Sequence, residues 1–142
     1  HKVERMLIVA PLSILGVWQE EFRKFASFAY SLAILNGSEF KKIERLRQMP
    51  SSGLQVAVIN YESAWRMQRE LATWDADLIV CDEGHKIKTH NIAASKCMHR
   101  LGVNARYRML LTGTIITNKA IDVFSPYKFL NPAVFGNSFY TF

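Results

Sequence analysis

Five short apolar segments alternate with segments of helical character, which predicts an α/β fold with a mainly parallel sheet and helices on both faces. The apolar segments are too short for most helices and lack polar alternation, as is typical of strands that are buried on both faces. Each connection is long enough to hold the helix that joins parallel strands. The 142 residues and the 49% hydrophobic content are sufficient for one domain with its own core.

The first strand-helix unit lies at the start of the chain. Met6 to Ala10 is an uninterrupted apolar run that Pro11 closes, and we expect Ser13 to cap the helix that follows. That helix carries an apolar face at helical spacing, formed by Leu15, Trp18, Phe22 and Phe25. The pattern predicts a strand, a tight turn and an amphipathic helix.

The second unit begins with a strand at residues 31–35, which ends at Asn36 and Gly37. Ser38 is placed to cap a charged helix. One side of this helix is predicted to face inward through Phe40, Ile43 and Leu46. The turn-forming segment 50–53 ends the unit.

Three further units follow in the same order. Strands are predicted at 55–59, 77–82 and 107–112, and helices at 63–72, 92–101 and 121–130. In the third helix, Trp65 and Leu71 are the candidate inward residues. No internal repeat interrupts the alternation of strands and helices.

Two of these strands end in polar groups. Asp82 and Glu83 follow one buried strand, and Thr112, Gly113 and Thr114 follow the next. Ligands of such sheets bind beyond the carboxyl ends of the strands, so both strand ends are expected to face one nucleotide. An aspartate there can hold Mg²⁺, and a neighbouring glutamate can orient a water for attack on phosphate.

These strand ends also carry a resemblance to a known family. Residues 82–85, Asp-Glu-Gly-His, followed by Leu-Thr-Gly-Thr at 111–114, resemble motifs II and III of the helicase-like superfamily-two ATPases, in the form typical of the Swi/Snf DNA translocases. Pro11, Leu12 and Ser13, with Trp18 and Phe25 after them, are similar to motif Ia of that family. Residues 59–63 lie where motif Ib lies, and residues 129–136 resemble the segment after motif III. The resemblance spans nearly the whole chain.

The resemblance implies part of the first RecA-like lobe of an ATP-dependent motor that uses ATP and Mg²⁺. Asp82 would bind Mg²⁺ with the nucleotide, and Glu83 would act as the catalytic base or water-positioning group. His85 would contact the nucleotide site and couple it to the rest of the motor. A separate segment, Thr112, Gly113 and Thr114, would link nucleotide state to lobe movement.

Double-stranded DNA is the implied partner, held through backbone phosphates rather than bases. The formal charge of +6 agrees with a polyanionic partner, although charge alone is weak evidence. The residues that the resemblance assigns to the DNA track are Pro11, Leu12, Ser13, Tyr61, Ser63, Lys86 and Lys88. Such contacts bind DNA without reading its sequence.

Other expected parts of the motor do not occur in the sequence. A phosphate-binding loop requires a Gly-Lys pair, and none of the seven glycines precedes a lysine. We therefore expect residues 1–142 to be a partial lobe, with that loop upstream and the second RecA-like lobe downstream, and to be inactive alone. We also expect the strand at 107–112 to present an unpaired edge through which copies could associate.

Two other functions stay open at this point. One is another superfamily-two helicase or a restriction translocase, and the other is a non-catalytic module that binds nucleic acid or protein. Motif III departs from its usual continuation at Ile115 and Thr117. No apolar run is long enough for a membrane helix. The spacing of Cys81 and Cys97 does not indicate a disulfide framework or a zinc site. We expect an intracellular protein, which would be nuclear in a eukaryote and cytoplasmic or nucleoid-bound in a bacterium.

Overall fold

The computed structural model describes residues 2–113 and 119–141. Five strands form one sheet in the order β2-β3-β1-β4-β5, and every neighbouring pair is parallel. The predicted α/β fold with a parallel sheet is confirmed. The strands are β1 (Arg5–Ala10), β2 (Tyr30–Ile34), β3 (Leu54–Asn60), β4 (Leu78–Asp82) and β5 (Tyr107–Leu111).

Helices occupy the connections between the strands, as the sequence predicts. They are α1 (Leu15–Phe25), α2 (Glu39–Arg47), α3 (Tyr61–Arg66), α4 (Gln68–Trp74), α5 (Ala93–Asn104) and α6 (Phe124–Leu130). The predicted third helix is divided at Met67, whose φ of −102° departs from helical geometry. Short 3₁₀ helices precede α1 and α6 and follow β4 and α6. No helix in the described ranges is both long and apolar enough to cross a membrane.

Both faces of the sheet carry a hydrophobic cluster. On one face, α2 to α6 contribute Leu46, Ala64, Leu71, Met98 and Phe129 to the larger cluster. On the opposite face, α1 packs onto the sheet, and its Leu15 belongs to a smaller buried cluster with Ile8, Val58 and Val80. Burial of one such large side chain contributes about 1.5–3 kcal/mol, so these two clusters fix α1 and α5 against the strands that carry the candidate site.

Three aromatic residues predicted to face inward are exposed instead. Phe25 is 75% exposed, Phe40 is 74% exposed and Trp65 is 40% exposed. Phe25 ends α1 and Phe40 lies in the first turn of α2, so neither lies over the cluster that the middle of its helix covers. Trp65 lies beside the core-facing Ala64, and its ring stacks with the Arg66 guanidinium at 5.4 Å.

The two predicted helix caps have different outcomes. Ser38 caps α2, since its side chain accepts a hydrogen bond from the Lys41 amide. Ser13 does not cap α1, and this prediction was wrong. A 3₁₀ helix at Leu12–Ile14 begins after Pro11, whose carbonyl accepts the Ile14 amide at 3.1 Å, and it carries the chain directly into α1. Ser13 therefore lies inside a turn rather than at a helix boundary.

Strand β5 lies at one edge of the sheet and, among the described residues, pairs only with β4. Leu110 packs against the larger cluster, so its neighbours project to the α1 face. There Tyr107, Met109 and Leu111 are exposed. The predicted unpaired edge is present in this structure.

The start of β4 is tied to β1 by a carboxylate. Asp77 accepts hydrogen bonds from the backbone amides of Glu4 and Arg5 at 2.8 and 2.9 Å. Partial burial disfavours the charged form, but these two N–H donors, aided by Arg106 and Arg5, hold the pKa of Asp77 below its ordinary value. A carboxyl with a depressed pKa stabilises the fold above its unfolded-state pKa and loses that effect as the pH falls through the folded-state pKa.

We expect Asp77→Asn to lower the free energy of unfolding by about 1–2 kcal/mol near neutral pH. The difference from the unaltered protein should shrink as the pH falls from about 4, the ordinary pKa of an aspartate, through the lower pKa of Asp77 in the folded protein. Urea unfolding at a series of pH values measures both effects. Asp75→Asn removes the same charge from an exposed helix end and is the matched control. Equal losses in the two variants would contradict the assigned role.

Candidate functional site at the carboxyl edge of the sheet

Four strands deliver candidate residues to the same edge of the sheet. Val9 is in register with Cys81, Ala10 with Asn60, and Asp82 with Leu111. The residues that follow these strands, Pro11, Tyr61, Glu83 and Thr112, therefore emerge side by side. The two polar strand ends lie next to each other, as expected for parallel neighbours.

Three hydrogen bonds anchor Asp82 at this edge. Its Oδ1 accepts the Glu83 amide at 2.8 Å, and its Oδ2 accepts the indole Nε1–H of Trp18 at 3.0 Å. The backbone carbonyl of Asp82 accepts the Tyr61 hydroxyl at 2.6 Å. One donor on each carboxylate oxygen and one on the carbonyl define both the rotamer and the backbone position of Asp82.

Glu83 has a backbone conformation that non-glycine residues rarely adopt. Its φ is +51° and its ψ is +55°, in the left-handed region. This conformation costs roughly 1–2 kcal/mol, and such strain concentrates at functional sites. The turn leaves the Glu83 side chain 46% exposed at the edge, with its Oε2 at 3.3 Å from Nδ1 of His85. The Glu83 carboxylate therefore lies beside His85 and remains accessible to a ligand.

Gly84 connects the two strand ends through packing. A Cβ at this position would lie 2.3 and 2.4 Å from Cδ2 and Cγ of Leu110, closer than any real contact. The Asp-Glu-Gly-His turn packs directly on β5, the strand that precedes Thr112. Only a glycine fits at position 84 because Leu110 of β5 lies so close to it. This contact makes the two segments one structural unit.

Tyr61 and Ser63 are assigned to the DNA track by the resemblance, but the structure places both in the interior. Each is 8% exposed. Burial, together with nearby Cys81 and the two carboxylates, raises the pKa of Tyr61 well above its ordinary value, so the hydroxyl stays protonated and donates to Asp82. The Ser63 hydroxyl accepts a hydrogen bond from Nζ of Lys42 at 2.8 Å. Both residues therefore support the carboxyl edge through hydrogen bonds within the fold.

The other residues of the predicted DNA track are more accessible. Leu12, Ser13 and Lys86 are exposed, and Pro11 and Lys88 are half-buried. Thr112 is half-buried and Gly113 is exposed beyond the end of β5. The predictions for Thr114, and the motif departures at 115–118, lie outside the described residues.

Some basic residues serve the fold rather than a ligand. Arg45 donates to the Ile34 carbonyl at 3.0 Å and to the side chain of Asn36. Arg108 donates to the carbonyls of Leu130 and Gly102, which ties β5 to α5 and α6. These cations already donate hydrogen bonds within the fold, so the net charge overstates the basic surface that is available to DNA.

Sequence reasoning missed the polar role of Trp18, which it treated as a packing residue, and the contact between Lys42 and Ser63. The partners are 64 and 21 residues apart in the chain, so no local pattern relates them. A helical face that contains a tryptophan indicates burial but does not say where its N–H points.

The sheet order and the shared polar edge define a RecA-like α/β domain. The profile of the SNF2-related domain matches residues 1–142, and the chain belongs to this family. It is 30% identical over 132 residues to the ISWI chromatin-remodeling complex ATPase CHR17 of Arabidopsis thaliana, which covers 93% of the chain and 12% of that protein. It is 29% identical over 135 residues to the human DNA repair and recombination protein RAD54B, which covers 95% of the chain and 14% of that protein.

A solved structure has the same fold. The Sulfolobus solfataricus SWI2/SNF2 ATPase core in complex with dsDNA superposes with a TM-score of 0.79 at 30% identity, covering 99% of the chain and 27% of that protein. The family and the fold predicted from the motifs are confirmed. The chain spans less than a third of each of these proteins.

Proposed function

We propose that this chain forms part of the first RecA-like lobe of a Swi/Snf-type motor that uses ATP hydrolysis to move along double-stranded DNA. The observation that carries the proposal is the pair Asp82 and Glu83 at the carboxyl edge, with one carboxylate anchored and the other accessible. Family membership supports it, as do relatives named as a chromatin-remodeling complex ATPase and as a DNA repair and recombination protein. The left-handed backbone at an accessible glutamate marks a functional site rather than an ordinary strand end.

The residues present fit a magnesium ion that arrives with a nucleotide. Among residues 2–113 and 119–141, no cluster of three or more His, Cys, Asp or Glu could hold a metal. Mg²⁺ in phosphate-transfer sites needs only one or two carboxylates, since water and substrate phosphates complete its shell. Asp82 would hold the ion, which would neutralise charge on the phosphates.

Glu83 would orient the attacking water and accept its proton. Its side chain is 46% exposed, and one carboxylate oxygen lies 3.3 Å from Nδ1 of His85. Asp82 and Glu83 thus have separate tasks because their surroundings differ: the first carboxylate is fixed by two donors, and the second has an oxygen free for water. Thr112 and Gly113, joined to this turn through Gly84 and Leu110, would report the nucleotide state to the rest of the motor.

We place the DNA backbone along the exposed part of the same edge, at Pro11, Leu12, Ser13, Lys86 and Lys88. The double-stranded DNA in the similar SWI2/SNF2 core supports DNA as the partner. Tyr61 and Ser63 would act indirectly, by positioning β4 and α3. Such a motor acts where its DNA is, in the nucleus of a eukaryote or the nucleoid of a bacterium.

The test is DNA-stimulated phosphate release by the complete motor protein that contains this chain. We expect double-stranded DNA to accelerate hydrolysis, and Asp82→Asn to abolish the acceleration. A strand-displacement assay separates translocation from unwinding, and we expect no displaced strand. Hydrolysis that is unaffected by Asp82→Asn would refute the assigned site, and an active site that unwinds DNA would favour the helicase alternative.

Lys86→Ala is expected to weaken double-stranded DNA binding by about two- to fivefold at moderate salt, equally for unrelated sequences, and to lower the slope of log affinity against log salt by about 1. Lys86 is exposed beside the carboxyl edge. Fluorescence anisotropy at several salt concentrations measures both quantities. The matched control is Lys24→Ala, since this exposed lysine lies in the last turn of α1, at the opposite edge. Equal effects of the two substitutions would contradict the placement of the DNA.

A further inference from the structure

We propose that Trp18 is a positioning residue for the nucleotide-bound metal, because its indole N–H fixes the Asp82 carboxylate. This inference rests on the proposed function. It adds to the metal site a residue of α1, which lies outside the Asp-Glu-Gly-His turn that carries the two carboxylates. The indole Nε1–H donates to Oδ2 of Asp82 at 3.0 Å in a partly buried environment. A hydrogen bond to a charged acceptor in such a place is stronger than one between neutral groups.

The geometry leaves Asp82 little rotational freedom. Its Oδ1 is held by the Glu83 amide of its own turn, and its Oδ2 is held from α1 across the edge of the sheet. Without the indole, the carboxylate keeps only the local donor and can rotate about it. Residues that orient a metal-binding carboxylate in this way typically contribute 10- to 100-fold to metal affinity or activity.

Packing fixes Trp18 firmly enough for this task. Trp18 and Phe22 pack on the smaller hydrophobic cluster, where Leu15 of the preceding turn is buried beside Val80. Val80 lies in β4, two residues before Asp82. The ring and the carboxylate are therefore carried by elements that share one hydrophobic cluster, which helps the donor and acceptor keep their relative positions.

The decisive variant replaces Trp18 by its isostere β-(3-benzothienyl)alanine, in which sulphur takes the place of the N–H and the ring shape is kept. The probe is Mn²⁺, which is titrated into the complete motor protein in the presence of ATP. The electron paramagnetic resonance signal of the free ion measures how much Mn²⁺ is bound. We expect the isostere to raise the dissociation constant for Mn²⁺ by about 10-fold or more. Binding of ATP in EDTA, which requires no metal, should stay unchanged. The same replacement at Trp65, whose ring lies over Arg66, should alter neither quantity.

Asp82→Asn separates a failure of the proposed metal site from a failure of the role proposed for Trp18. If Asp82→Asn leaves Mn²⁺ binding intact, the proposed metal site itself is wrong. If Asp82→Asn weakens Mn²⁺ binding and the isostere at Trp18 does not, only the role of Trp18 is wrong. Thermal melts accompany each variant. An isostere that lowers the melting temperature but leaves the dissociation constant for Mn²⁺ unchanged would show a purely structural hydrogen bond and would overturn the inference.

Discussion

Glu83→Gln is expected to lower the rate of DNA-stimulated ATP hydrolysis by the complete motor protein about 10²- to 10⁴-fold, while ATP and DNA continue to bind. The amide has nearly the shape of the carboxylate but cannot accept the proton of the attacking water. The side chain is 46% exposed, so the substitution removes no core contact. The loss should therefore appear in the chemical step rather than in stability.

Single-turnover hydrolysis with saturating ATP isolates that step. ATP affinity, DNA affinity and the melting temperature should match those of the unaltered protein. Glu20→Gln is the control, because Glu20 is an exposed glutamate of α1 that pairs with Arg23 at 2.8 Å in its own helix. A rate within a few-fold of the unaltered protein would remove Glu83 from the mechanism, and an equal loss in Glu20→Gln would point to a general effect of charge.

The order of the strands and helices was predictable because each buried strand is a short apolar run with a breaker at its end. Met6 to Ala10, closed by Pro11, is an example. Helix details were less predictable. The division of the third helix at Met67 and the 3₁₀ entry into α1 depend on how each segment meets the sheet, and Ser13 resembles a cap only if the helix is assumed to start beside it.

The candidate site was predictable to the level of the strand ends and no further. Asp82 and Glu83 are adjacent in sequence, and parallel strands necessarily bring Thr112 to the same edge. The indole of Trp18, the buried hydroxyl of Tyr61 and the close approach of Gly84 to Leu110 are tertiary contacts. Tyr61 shows the consequence, since its motif suggested a DNA contact, whereas its hydroxyl supports the backbone of Asp82.

Because of these tertiary contacts, the exposed and the buried groups at the carboxyl edge have different roles. The exposed groups, Ser13, Lys86 and Glu83, are available to ligands, and buried groups set their positions. A substitution among the buried groups should therefore disturb the fold and the site together, while one among the exposed groups should disturb ligand binding or chemistry alone. The glycine of the Asp-Glu-Gly-His turn tests the first half of this division.

Gly84→Ala is expected to lower the free energy of unfolding by about 1–3 kcal/mol, the usual cost of overpacking a well-packed site. The added methyl group would lie 2.3 Å from Cδ2 of Leu110, so β5 or the turn must shift. Gly16→Ala is the matched control, since Gly16 lies in the first turn of α1 and nothing lies within 4 Å of the added methyl group. That variant should be neutral or more stable by about 0.5–1 kcal/mol.

A double-mutant cycle identifies the cause of the destabilisation. Leu110→Ala removes the atoms that the new methyl group meets, so Gly84→Ala should cost less in that background than in the unaltered protein. Urea unfolding of the four proteins gives an interaction energy, expected to be at least about 0.5 kcal/mol in the favourable direction for residues in direct contact. Additive losses would mean that Gly84 is needed for its backbone rather than for the approach of Leu110. The two strand ends would then be neighbours in the sheet without being joined through this contact.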